Sequence, residues 1–242
     1  MSEGRLYGVG VGPGDPELLT VKATRVIAAA PVVAFFAKAG RRGNARGIVD
    51  GWIMSWHVEL PLYYPMTTES HFDDPPYREA LKDFYRKSAA AIAVHLEAGR
   101  DVALLAEGDP LFYGSFMHLF VRLRERFAVT IVPGVSSICG AWGAAGEAMT
   151  WGDDCLVVLP ATLPLDKLAR RLEVAEAAVI MKLGRNFARA KEALVRAGMA
   201  ERAIYVERAT MAGETVMPLE QKADGPAPYF SLILVPGRGR RP

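Results

Sequence analysis

Short apolar runs alternate along the first half of the chain with longer stretches whose apolar residues recur every three or four positions. The runs at 5–11, 32–36, 57–62, 101–106 and 129–132 have the length and β-branched content of buried strands. Between them, 16–29, 77–98 and 113–126 carry helical spacing; in the second, Leu81, Phe84, Tyr85, Ala89, Ile92 and Leu96 share one face. This order predicts a mostly parallel sheet with helices on its faces. After Gly146 the pattern changes. Strands at 155–159, 178–182 and 204–208 are separated by helices at 164–175 and 186–197, and strands 214–219 and 229–235 then follow with no helix between them. That ending predicts a mixed sheet with an antiparallel edge. The expected fold class is α/β, in two domains at 1–146 and 147–242, joined near 147–153, with the active site in the cleft between them.

Composition narrows the classes. With 51% apolar and 23% charged residues in a chain of 242, a packed core is expected and disorder is excluded. The formal charge of +2 becomes −1 once Arg238, Arg240 and Arg241 are set aside, so a surface built for nucleic acid is not expected. Cys139 and Cys155 lie in apolar stretches without metal-ligand spacing and read as buried, reduced thiols. The longest apolar run, 26–36, is broken by Pro31 and is shorter than a membrane span, and the chain opens straight into a strand. A soluble cytoplasmic protein is expected.

The stretch LYGVGVGPGDPELLT at 6–20 resembles a dinucleotide loop and fails the test for one. The third glycine of G-x-G-x-x-G would fall on Pro13 or Asp15, and 28–37 has no acidic residue for a ribose. Asp15 before Pro16 predicts a helix N-cap, which puts a carboxylate where a pyrophosphate would bind. The alternating glycines predict a backbone that something bulky approaches closely. A second acidic turn, LLAEGDPLFYGS at 104–115, repeats this logic with Asp109-Pro110, and a third, VPGVSSICG at 132–140, offers Ser136 and Ser137 as a cap and as ligand donors. Three polar turns at neighbouring strand ends predict a neutral or cationic cofactor rather than a phosphorylated one.

GVGPGDPELLT, EGDPLFYGSFMHL, PGVSS, MKLGRN, ERATMAGE and YFSLILV, in this order, resemble the tetrapyrrole (corrin/porphyrin) methylase family over residues 5–237. Within it, EGDPLFYGSFMHL is most similar to the members that methylate precorrin-2 at C20 in cobalamin biosynthesis. The resemblance implies S-adenosylmethionine as cofactor, S-adenosylhomocysteine as product, precorrin-2 as substrate, no resident metal and a homodimer. It implies cofactor contacts at Ala106, Glu107, Gly108, Asp109, Phe112, Ser136, Ser137, Met181, Ala209, Ser231 and Leu232. Gly12, Pro13, Gly14 and Asp15 would form a wall against the macrocycle, with Arg185 and Arg208 on its carboxylates. Arg41, Arg42 and Arg46 in GRRGNARG either help them or belong to a solvated loop, and 65–77 is either a lid or an exposed connection. Asp15, Glu107 and Tyr113 are the candidates for the base that removes the C20 proton; His57, His71, His95 and His118 are scattered and read as structural or surface residues. A cobalt-precorrin-2 substrate is the first alternative. Protein (diphthine) or ribosomal RNA methylation is disfavoured by the near-neutral body and the DPLFYGSFMHL continuation, and an NAD-type oxidoreductase or binding module by the failed fingerprint.

Overall fold

In the computed structural model, which describes residues 2–65 and 75–239, the chain divides into two units, Met1–Ser136 and Ser137–Pro242. The first contains β1 (Leu6–Gly10), α1 (Val21–Ala29), β2 (Val32–Lys38), α2 (Asn44–Ile48), β3 (Val58–Tyr64), α3 (Pro75–Glu97), β4 (Val102–Ala106), α4 (Phe116–Leu123) and β5 (Val129–Val132). Its sheet runs β3-β2-β4-β1-β5, with every pairing parallel. β4, VALLA, lies at its centre and is buried at every position, which is why it reads as a continuous apolar run. Alternation divides its side chains between two cores. Val102 and Leu104 pack with Ile92 and Leu96 of α3 and Phe116 and Leu119 of α4; Ala103 and Leu105 pack with Val9 and Ile27. Each such large side chain contributes roughly 1.5–3 kcal/mol on burial.

The helix expected at 16–29 is two elements. Asp15 caps only a 3-10 turn, Pro16–Leu18, its carboxylate accepting from the Glu17 amide at 2.8 Å. Leu19 and Thr20 are extended, and Thr20 caps α1 by accepting from the Ala23 amide at 3.1 Å. The second cap residue restarts the helix in a new direction. Likewise 113–126 shortens to α4, because Tyr113 has φ 55°, outside the right-handed helical region. α2 has five residues, too few to show a period. His57 is buried and fixed at both ring nitrogens: Nδ1 accepts from the Met54 amide at 2.8 Å and Nε2–H donates to the Ile27 carbonyl at 3.0 Å. Of the expected lid at 65–77, residues 66–74 lie outside the described residues, as does His71, and Pro75 onward belongs to α3.

The second unit contains α5 (Ser137–Ala145), β6 (Leu156–Pro160), α6 (Leu165–Glu173), β7 (Ala177–Met181), α7 (Phe187–Arg196), β8 (Ile204–Glu207), β9 (Thr215–Pro218) and β10 (Ser231–Val235). The sheet order is β6-β7-β10-β8-β9. β6 and β7 are parallel, and β10 lies antiparallel between β7 and β8, so the mixed character reaches the middle of the sheet as well as its β9 edge. Ile233 and Val235 face one core with Ile180 and Tyr205; Leu232 and Leu234 face another with Val179 and Val206. Ile138, Ala141 and Trp142 of α5 join that second cluster, so the division between units precedes α5 instead of following Gly146. Cys139 and Cys155 are thiols not joined in a disulfide, and both are exposed rather than buried: Cys139 lies on the outward side of α5 and Cys155 just before β6. Among the described residues, no helix is long and apolar enough to cross a membrane.

Candidate active site

Because β4, β1 and β5 are adjacent and parallel, the three polar turns that follow them emerge side by side at one edge of the first sheet. They are tied together by backbone. The Val11 amide donates to the Ala106 carbonyl at 2.9 Å and the Gly108 amide to the Gly12 carbonyl at 2.8 Å, an isolated antiparallel bridge. A Cβ on Gly10 would stand 2.5 Å from the Gly134 nitrogen and 2.6 Å from the Gly108 oxygen, and one on Gly134 would stand 2.2 Å from that same oxygen. A Cβ on Gly8 would meet the Phe116 ring at 2.2 Å. At Gly8, Gly10 and Gly134 the close approach that glycine permits is made by neighbouring turns and α4. Gly12, at φ 79°, also needs the left-handed freedom of glycine.

The carboxylates at this edge have separate tasks. Asp109 accepts from the Leu111 amide at 2.9 Å and from the Gly134 amide at 3.2 Å, and so fastens the turn after β4 to the turn after β5. Asp15 caps its own turn. Glu107 is half-buried, and burial pushes its carboxyl above the usual carboxylate range, opposed by a hydrogen bond from the Asn44 side chain of α2. Asn44 sits in no recognisable motif, and only the fold brings it to Glu107. Beyond Glu107 the chain presents exposed Leu111, Phe112 and Tyr113; the last two rings meet edge-on at 4.9 Å. Ser115 accepts hydrogen bonds from Tyr64 and Tyr85, tying the end of this turn to β3 and α3.

In the second unit, β7 and β8 flank β10 antiparallel and so end at a common edge. Met181, Ala209 and Leu232 belong to one apolar cluster there, together with Ile138 of the helix that starts at Ser137. Ser231 does not join them. It precedes Leu232 on the strand, and its buried hydroxyl donates to the Pro228 carbonyl at 2.6 Å on the side of Tyr205. Arg185 and Arg208 are exposed at the ends of β7 and β8. Lys182 and Arg208, each the first residue past its strand, have φ 58° and 52°. Sequence reading did not single out Lys182, since backbone strain leaves no signature in residue type.

The arginines of 40–47 divide. Arg46 is 5% exposed, its guanidinium paired with both Glu59 oxygens (2.5 and 3.0 Å) and with Asp50. Arg42 also pairs with Asp50, and Arg41 is exposed. Arg46 is thus a strut between α2 and β3, neither a solvated residue nor one open to a substrate.

The sequence profile of the Tetrapyrrole (Corrin/Porphyrin) Methylases matches residues 5–223, and the chain belongs to this family. It is 56% identical to a precorrin-2 C(20)-methyltransferase of Sinorhizobium sp, over 99% of this chain and 98% of the relative. It is 32% identical to a cobalt-precorrin-2 C(20)-methyltransferase of Salmonella typhimurium, over 96% of each. A cobalamin biosynthesis protein of Mycobacterium tuberculosis, CobIJ, is 50% identical over 99% of the chain, which spans about half (47%) of that relative. Among solved structures, a uroporphyrin-III C-methyl transferase from Thermus thermophilus complexed with S-adenosyl homocysteine superposes with a TM-score of 0.67 at 25% identity, covering 96% of this chain and 92% of that one.

Proposed function

We propose that the protein is an S-adenosylmethionine-dependent C-methyltransferase that methylates C20 of precorrin-2 to precorrin-3A in cobalamin biosynthesis. The observation that carries this reading is the 56% identity, end to end, with a relative named for that reaction. The metal-free substrate is preferred to cobalt-precorrin-2 because the relative named for the latter is only 32% identical.

The residues present suit a cationic cofactor. The turn amides a phosphate would need are taken by Asp15 and Asp109, while Glu107 adds a carboxyl and Met181, Ala209 and Leu232 add an apolar surface for a thioether or a ring. When bound, S-adenosylmethionine supplies a methyl group activated by its sulfonium. Ala106, Gly108, Phe112, Ser136, Ser137, Met181, Ala209 and Leu232 hold the cofactor; Ser231 shapes the strand through its bond to Pro228. Positioning two reactants in this way is worth roughly 7–11 kcal/mol of barrier. Glu107 takes the proton that leaves C20. Its raised pKa suits the task, whereas Asp15 and Asp109 are committed to turn amides. Tyr113 and the turn Gly12–Pro13–Gly14–Asp15 border the macrocycle, and Arg185 and Arg208 meet its carboxylates.

The test is anaerobic incubation with labelled S-adenosylmethionine and precorrin-2, with and without cobalt. Label in a trimethylated tetrapyrrole is expected, faster without the metal; label only in protein or RNA would refute the reading. A cytoplasmic homodimer goes with the proposal, and light scattering of the purified protein checks its mass.

A further inference from the structure

Among the described non-glycine residues, Tyr113, Lys182, Arg208 and Thr210 alone have left-handed φ, and three of these lie at the strand-end edge of the second sheet. Thr210 is held there by its turn, its amide donating to Glu214 at 2.6 Å. Arg208 is also held by backbone bonds, its amide donating to the Phe230 carbonyl at 2.8 Å and its carbonyl accepting from the Met211 amide at 2.9 Å, but Lys182 and Arg208 differ from Thr210 in carrying long cations. They occupy equivalent places, the first residue past β7 and the first past β8, on either side of the strand that starts at Ser231. At φ near 55° glycine would sit without strain, and asparagine would be tolerated. The chain instead places a long cation at each position. Both residues are exposed, and the carboxylate near Arg208 is Glu207 at 3.9 Å, itself accepting from Tyr205 at 2.9 Å. A strained backbone kept with a costly side chain points to use of that side chain. Each cation adjoins a residue of the apolar cluster, Met181 before Lys182 and Ala209 after Arg208.

We infer that Lys182 and Arg208 form a matched pair of carboxylate-binding residues, held by their left-handed backbone at the ends of β7 and β8, that fixes the acid side chains of the tetrapyrrole beside the cofactor surface. This rests on the function proposed above and adds Lys182, with the reason for its backbone, to the binding residues. Left-handed φ turns each side chain away from the direction the strand would give it, so strain and binding geometry are one feature.

Lys182→Gly and Arg208→Gly separate binding from structure, because glycine relieves the backbone while removing the cation. Thermal melting, calorimetric binding of S-adenosylhomocysteine, and KM and kcat for precorrin-2 are measured for both variants and wild type. The expected result is an unchanged or higher Tm, unchanged S-adenosylhomocysteine affinity, and a KM raised about tenfold or more for each, the size of a lost charge-assisted hydrogen bond. Lys182→Arg restores KM toward wild type. If a glycine variant does not fold, Lys182→Asn or Arg208→Asn replaces it with the same expected KM. Active variants whose KM stays within twofold of wild type overturn the inference alone, as does a large fall in Tm with KM unchanged. A wild-type protein that transfers no methyl to precorrin-2 instead refutes the reading of function, and this inference with it.

Discussion

Asp15, Glu107 and Asp109 are alike on paper: acidic residues in glycine-rich turns after strands. Hydrogen bonding separates them. Asp15 and Asp109 accept from turn amides, whereas burial drives the Glu107 carboxyl toward the neutral form. A raised folded-state pKa gives stability that is present below the unfolded value of about 4.5 and lost as pH rises through the folded value. Glu107→Gln is therefore expected to raise stability at pH 8 and change it little at pH 4, measured by denaturant melts, while kcat falls at least about 100-fold, the usual size of a lost general base. Asn44→Ala removes the bond that holds this carboxyl down, so the acid-side limb of the kcat profile moves to higher pH. An intact limb in that variant would separate Asn44 from the reaction. The EGDP turn was legible in sequence, but the choice among its acids was not, because it depends on which amide each one reaches.

At the scale of elements, the three turns act as one unit through glycine-to-glycine contact. Gly134→Ala would press a methyl against the Gly108 carbonyl, and a loss of roughly 1–3 kcal/mol in urea unfolding is expected, the range for overpacking. Arg46 gives a second case. Burial and two carboxylates bind it to β3, and its guanidinium holds Glu59 below the usual carboxylate range. Because those carboxylates are about 40% exposed, the pair is worth less than a fully buried one. Arg46→Met is expected to cost about 1–2 kcal/mol and to leave the KM for precorrin-2 unchanged; a large rise in KM would return Arg46 to the substrate site. Periodicity located the strands to within two residues, since most of them alternate or are wholly apolar. It missed the break at Leu19 and Thr20, where a local cap competes with a helix that composition alone would continue.

Over the whole molecule, two independent sets of cores carry the stability, and acid weakens the first unit in steps. The His95 imidazole, on α3, is pushed down by burial and by Arg100, and its buried Nδ1 has no hydrogen-bond partner. A histidine with a lowered folded pKa contributes stability above about pH 6.5 that is lost as pH falls through that value toward the folded one; Glu59 adds a second loss below about 4.5. Tm is expected to fall in that order on acidification, and His95→Gln flattens the upper step in scanning calorimetry. By itself the amino-acid sequence determined the α/β class, the alternation of elements, the exclusion of a dinucleotide loop and the membership in a methylase family, because periodicity, capping and motif order are local or linear properties. Tertiary structure decided what depends on distant residues meeting: β10 between β7 and β8, α5 with the second unit, Arg46 as a strut, glycines packed on one another, Glu107 beside Asn44, and two cations held in strained backbone at matching strand ends. Contacts between residues far apart in the chain set those features, and such contacts exist only once the sheets have formed.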